Sequence, residues 1–236
     1  MAVNYFGFPQ PMTPFREYAA RTGALIIEDN AHGFLSSDWN GEWLGARGDL
    51  GVFSLRKTLP LADGAALLAV RPGLAGRLAP QLAAATAGYA PSAARKASLR
   101  RTPVFGPAAV AVTTGLVRAL RQLRTGHAIS PPDAAAETVI PHPPAPYDGL
   151  AAALATADAQ REIDRRRELY RTVERAARAL GVMPLFPDLP PLTAPYGFPF
   201  RADPGPALQS LKRWASCRGL DLIHWPDLPD AIVASA

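Results

Sequence analysis

The amino-acid sequence predicts an α/β fold. Two short apolar runs, at 24–27 and 50–53, each end in a polar residue, as parallel strands do when their carboxyl ends open onto a site. A long helical pattern fills 150–180, and short apolar runs then return around one further helix. Strands first, then helices, then a smaller strand and helix series is an α/β body followed by an α+β tail.

The first run, 24–27, follows Gly23 and stops at Glu28 and Asp29, which reads as a strand buried on both faces of a parallel sheet. Asp29 then lies at a carboxyl end, where open α/β sheets bind ligands. The second run, 50–53, is followed by Ser54 at the corresponding edge. Between them Trp39-Asn40-Gly41-Glu42 carries the Asn-Gly hairpin signal, so the connector is a β-excursion and not a crossover helix.

Beyond residue 70 an alanine-rich helix is expected over 74–87, kinked by Pro80 and ended by Gly88. A second is expected over 107–126, where Val117, Leu120 and Leu123 have helical spacing. Residues 127–149 hold six prolines and read as a linker or surface-draped arm. A long helix over 150–180 should stop at Gly181. Strands are expected at 182–186, 196–201 and 220–225, around a helix at 207–218. Two domains follow, 1–149 and 150–236.

Asp29, Ser54 and Lys57 together suggest a pyridoxal phosphate site. That cofactor needs a carboxylate against its pyridine nitrogen, an amine for a Schiff base, and hydroxyl or amide donors for its phosphate. The chain has 25 Lys+Arg, yet its only lysines are Lys57, Lys96 and Lys212. Arginine holds nearly every generic cationic position, and arginine cannot form the Schiff base. Each residue also has a plainer reading. Asp29 caps a helix ahead of Ala31, His32 is a partly buried histidine, and Lys57 is a solvated loop lysine beside Arg56.

The segment from about residue 3 to 70 resembles the middle of the large domain in DegT-type sugar aminotransferases. The resemblance rests on Ile27-Glu28-Asp29-Asn30-Ala31-His32, then Gly48-Asp49-Leu50-Gly51-Val52-Phe53-Ser54, then Lys57 and Asp63-Gly64-Ala65. It implies a partial PLP-dependent transferase (fold type I) large domain followed by a small α+β C-terminal domain. It also implies Asp29 at the pyridinium nitrogen, His32 near the phenolic oxygen, Ser54 on the phosphate and Lys57 as the catalytic amine. The reaction implied is amino transfer from an amino acid donor to a keto-sugar or related carbonyl compound, in a homodimer.

Two departures qualify the likeness. Ser54 and Lys57 are three residues apart, closer than in most of the family, which loosens the tie to sugar substrates. Sister dehydratases carry histidine in place of the lysine; Lys57 favours aminotransfer. Against the family pattern the chain also corresponds to a fragment. The turn that cradles the phosphate with backbone amides, the aromatic residue that stacks on the cofactor ring and the extreme C-terminus have no counterpart in it.

Net charge of +5 and a pI near 9.7 raise the possibility of nucleic acid, but the arginines of 161–178 alternate with Glu162, Asp164, Glu168 and Glu174 as on a solvated, ion-paired helix face. No nucleic acid, membrane or metal partner is therefore expected. Residues 1–10 lack a secretory signal, 102–117 is too short to span a bilayer, and Cys217 is alone. A cytoplasmic chain is expected. Arg201 and His224 read as structural. Two alternatives to the enzyme stay open: a catalytically dead PLP-fold interaction or regulatory protein, and a basic polyanion-binding module.

Overall fold

The computed structural model describes residues 1–59, 61, 63–78, 149–201, 203 and 205–216, with scattered positions at 112, 115–117, 119–121, 123–124, 146, 220 and 222. Among them the chain forms a four-stranded sheet in the order β1-β2-β3-β4. The strands are β1 (Ala2–Val3), β2 (Ile27–Asp29), β3 (Leu50–Ser54) and β4 (Ala65–Ala69). β1 runs parallel to β2 and β2 to β3, whereas β4 returns antiparallel to β3. The carboxyl ends of β1, β2 and β3 therefore share one edge.

β2 begins at Ile27, later than the apolar run suggested, and it is not buried on both faces. Ile27 and Val52 are each 36% exposed, whereas Glu28 is fully buried. Strand alternation explains this: Ile27, Asp29, Val52 and Ser54 point to one side, and Glu28, Gly51 and Phe53 to the other. Leu44, Leu55 and Leu59 are buried as well, and Phe34 stands edge-on to Phe53 at 5.8 Å between centroids.

α1 (Thr13–Thr22) fills the connection from β1 to β2, starting on Pro14 and ending at Gly23, whose φ of 70° lets its N–H reach Ala19 O at 2.8 Å. The connection from β2 to β3 has no helix. The Asn40-Gly41 turn forms there, with Asp38 Oδ1 accepting the N–H groups of Asn40 and Glu42 at 2.9 and 3.0 Å. Its ladder is a single antiparallel bridge, Ser37 to Trp43. After β3 the chain turns directly into α2 (Leu55–Thr58). α3 (Leu74–Leu78) opens the helix expected over 74–87, whose remainder lies outside the described residues. The described positions between 112 and 124 are helical; most of the proline-rich arm lies outside.

The expected helix over 150–180 is two helices, α4 (Leu150–Ala155) and α5 (Ala159–Ala179). Thr156 Oγ1 bonds back to the carbonyls of Ala152 and Ala153, both at 3.1 Å, and ends α4. Asp158 Oδ1 accepts the Arg161 N–H at 3.0 Å and starts α5 as its N-cap. Gly181 ends α5 as expected. Its N–H reaches Arg178 O at 3.0 Å and that of Val182 reaches Ala177 O at 2.8 Å, the two bonds of a Schellman motif.

The chain divides into two compact units. One comprises Met1–Arg166 with Pro190–Tyr196, the other Arg167–Leu189 with Gly197–Ala236. The core of the second joins Ala177, Val182 and Leu211 to Phe198, Phe200 and Trp214. Its described helix is α6 (Pro206–Ser216). The strands expected at 182–186 and 196–201 shrink to one bridge, Pro184 to Phe200, because Pro184, Pro187 and Pro199 supply no amide donor to a ladder. Of 220–225 only Leu220 and Leu222 are described, neither in a strand; Cys217, His224 and Lys96 lie outside the described residues. Arg201 is exposed.

Candidate functional site

The carboxyl edge of the sheet collects the residues singled out from the sequence. Asp29 ends β2 and Ser54 ends β3. Asp29 is in register with Val52, so Ser54, two residues on, projects from the same face as Asp29. α2 begins at the next residue and carries Lys57, half-buried, in its last turn. His32 lies just beyond β2 and is 9% exposed.

The His32 ring stacks on Tyr196, 4.4 Å between centroids and 11° between planes. Lys57 Nζ stands 5.8 Å from the centroid of the same ring, within cation–π range. The Phe6 N–H donates to His32 Nδ1 at 3.4 Å, which leaves the neutral imidazole its proton on Nε2. Burial holds the His32 pKa below its ordinary value of 6.5; the Lys57 charge lowers it further and Asp29 opposes the shift. His32, Lys57 and Asp29 thus share one electrostatic environment.

Beneath the edge, on the buried side of the sheet, lies a polar network that sequence reading missed. Glu28 Oε1 accepts from Asn4 Nδ2 at 2.8 Å, the Gly45 N–H at 2.6 Å, and Arg47 Nε and Nη2 at 3.1 and 3.0 Å. Glu28 Oε2 accepts the Arg47 N–H at 3.1 Å. Arg47 also reaches Asn4 Oδ1 at 2.9 Å, and its side chain is 3% exposed. Asn30, just past β2, takes Asn4 Nδ2 on its own oxygen and donates to Leu44 O at 2.8 Å. One buried ion pair therefore fixes the residues following β1 and β2 and the loop entering β3. The backbone must approach closely to do so: a Cβ on Gly51 would collide with the Gly45 carbonyl oxygen. Two adjacent acids, Glu28 and Asp29, of which alternation must turn one inward, were the available signal.

Tyr196 and Arg166 were missed as well. Tyr196 belongs to the 190–196 segment of the first unit, and its N–H donates to Phe6 O at 2.9 Å. Ser36 Oγ accepts the Ala194 N–H at 2.9 Å, and the Ser37 N–H donates to Leu192 O at 3.1 Å. Gly7, at φ +86°, admits this segment; a Cβ there would press on the carbonyls of Ala194 and His32.

The residues present fit pyridoxal phosphate. Asp29 Oδ1 accepts the Ala31 N–H at 3.0 Å, and Oδ2 has no hydrogen bond among the described residues, so it can face a protonated ring nitrogen. The Asx turn so formed leads into no helix, unlike the cap the sequence allowed. The Ser54 hydroxyl likewise makes no hydrogen bond among the described residues and is open to an acceptor.

Residues 1–79 match the DegT/DnrJ/EryC1/StrS aminotransferase family. The match spans the whole four-stranded sheet and includes Asp29, His32, Ser54 and Lys57. The mixed sheet and surrounding helices fit a fold of the PLP-transferase kind, and the DegT family supports an aminotransferase-like function in general. Arg166 and Tyr196 lie outside the DegT-matched segment. No curated protein and no solved structure matches the chain. No helix among the described residues is long and apolar enough to cross a membrane.

Proposed function

We propose that the carboxyl edge of this sheet binds pyridoxal phosphate and that the protein transfers an amino group from an amino acid donor to a keto-sugar or related carbonyl compound. In this reading the first unit represents part of a fold type I large domain, the second a small C-terminal domain, and the protein works as a homodimer. The observation that carries the reading is the parallel register of β2 and β3. It sets Asp29 and Ser54 on one face of the sheet, with Lys57 one helical turn beyond Ser54 and His32 in the same electrostatic environment.

Asp29 would hold the ring nitrogen protonated, Ser54 would donate to the phosphate, and the Nε2–H of His32 would face the phenolic oxygen. The cofactor supplies an electron sink for charge at the donor's α-carbon. Lys57 Nζ would hold the cofactor and, as the free amine, would take the proton from the donor's α-carbon. The low pKa of His32 keeps its ring uncharged near neutral pH, so Nε2 donates a hydrogen bond without adding a second cation beside Lys57.

Borohydride reduction of the protein mixed with pyridoxal phosphate, followed by peptide mapping, tests the site. Label on Lys57 and not on Lys96 or Lys212 is expected. Equal labelling of the three lysines, or none, contradicts it and leaves a DegT-like protein without cofactor chemistry. Glutamate and a panel of keto compounds, with the aminated product measured, then test the substrate class.

A further inference from the structure

We propose that Arg166 is a positioning residue for the Lys57 amine, fixing both the helical turn that carries Lys57 and the Tyr196 ring beside which its Nζ lies. This rests on the reading of Lys57 as the reactive amine. Arg166 Nη2 donates to Lys57 O at 2.7 Å and to Thr58 O at 2.8 Å. Nη1 donates to Pro195 O at 3.2 Å, and Nε to Glu162 Oε1 at 2.7 Å. The side chain is 13% exposed.

One guanidinium thus joins three stretches of chain: the end of α2, the residue before Tyr196, and α5. α2 has only four residues. A helix so short has a costly nucleus and little cooperativity of its own, and its last carbonyls have no partner within it. Arg166 supplies two of the missing donors and puts a cation at the helix's negative end. The planar fork suits this role, because it addresses several acceptors in fixed directions as an ammonium does not. Glu162, which it shares with Arg165, pairs with the guanidinium at 2.7 Å.

The acceptors give the clasp its functional meaning. One is the carbonyl of Lys57 itself; another belongs to the residue immediately before the ring that touches both His32 and Lys57. With Arg166 gone, the turn and the ring lose their common tie, although Ser36, Ser37 and Phe6 still hold the 190–196 segment.

Nuclear magnetic resonance of the intact protein reads this directly. Lysines dimethylated with labelled formaldehyde give separate signals, that of Lys57 assigned by its loss in Lys57→Arg. The His32 ring protons are assigned by their loss in His32→Gln. In the wild type both sets are expected upfield, shifted by the Tyr196 ring, and Tyr196→Leu removes the shift. Arg166→Met is expected to return both sets toward their free values while circular dichroism stays native. Its affinity for pyridoxal phosphate should fall about tenfold or more, the equivalent of one charge-assisted hydrogen bond. Arg166→Lys, which keeps the charge without the fork, should recover neither shift, and it stands in if Arg166→Met fails to fold.

A folded variant whose two sets of signals and cofactor affinity stay within about twofold of wild type overturns the proposal, as does a wild type without ring shifts. If the wild type shows Arg166-dependent shifts but binds no pyridoxal phosphate at Lys57, the proposed function fails and the positioning role stands.

Discussion

Glu28 carries a carboxylate into a place where an apolar residue would ordinarily sit, and it is held there by the Gly45 and Arg47 N–H groups and by the Asn4 and Arg47 side chains. A buried pair of this kind gains little over a hydrophobic replacement of both members, but breaking it strands a charge. Glu28→Gln, which leaves Arg47, its side chain 3% exposed, with the longer Asp38 pair at 3.5 Å, should cost about 3 kcal/mol in urea denaturation. Replacing Glu28 and Arg47 together with apolar residues should cost less than the single change. His32 makes a second residue-level prediction. Its folded pKa lies below the unfolded value near 6.5, so as pH falls through that window the unfolded chain binds the proton first. Stability contributed by neutral His32 is complete above about pH 6.5, falls with decreasing pH, and levels off below the folded pKa. His32→Gln should flatten that slope when denaturation midpoints are compared between about pH 7.5 and pH 5.

Asp158 and Gly181 bound the helix that delivers Arg166. Asp158→Ala removes the N-cap and should cost about 1 kcal/mol in urea denaturation. Gly181→Ala forces a Cβ into φ +79° and should cost about 1 kcal/mol by the same measure, with no change in side-chain contacts. Elements set by local chemistry could be read from the sequence: β3 with Ser54 at its end, the Asn40-Gly41 turn, the stop at Gly181. The break at Thr156–Asp158 is also local chemistry, but apolar periodicity across 150–180 conceals it. What could not be read depends on which residue of a run turns inward. In Arg165-Arg166-Arg167 the composition suggests a solvated face, and Arg165 conforms at 54% exposure, whereas Arg166 at 13% does not. Its acceptors on residues 57 and 58 lie 109 and 108 positions away, beyond any local pattern. Tyr196 escaped for the same reason. The apolar alternation of 196–201 suggests a strand starting there, and the proline-rich chain around it yields only a bridge at Phe200.

At the scale of the whole molecule several arginines are engaged in ion pairs within the chain. Arg165, Arg166 and Arg178 pair with Glu162 and Glu174 along α5, and Arg47 is spent on Glu28. A labelled oligonucleotide should therefore bind weakly at physiological salt. Tight binding that collapses as salt rises would restore the nucleic-acid reading. The residues proposed to hold the cofactor, Asp29, His32, Ser54 and Lys57, lie at or just beyond the carboxyl edge of the sheet. The proposed site is tested most directly by the visible absorption spectrum of the purified protein titrated with pyridoxal phosphate. A saturable band that is present in the wild type, absent in Lys57→Ala and weakened in Asp29→Ala is the predicted result; no band, or one that Lys57→Ala leaves unchanged, would contradict it.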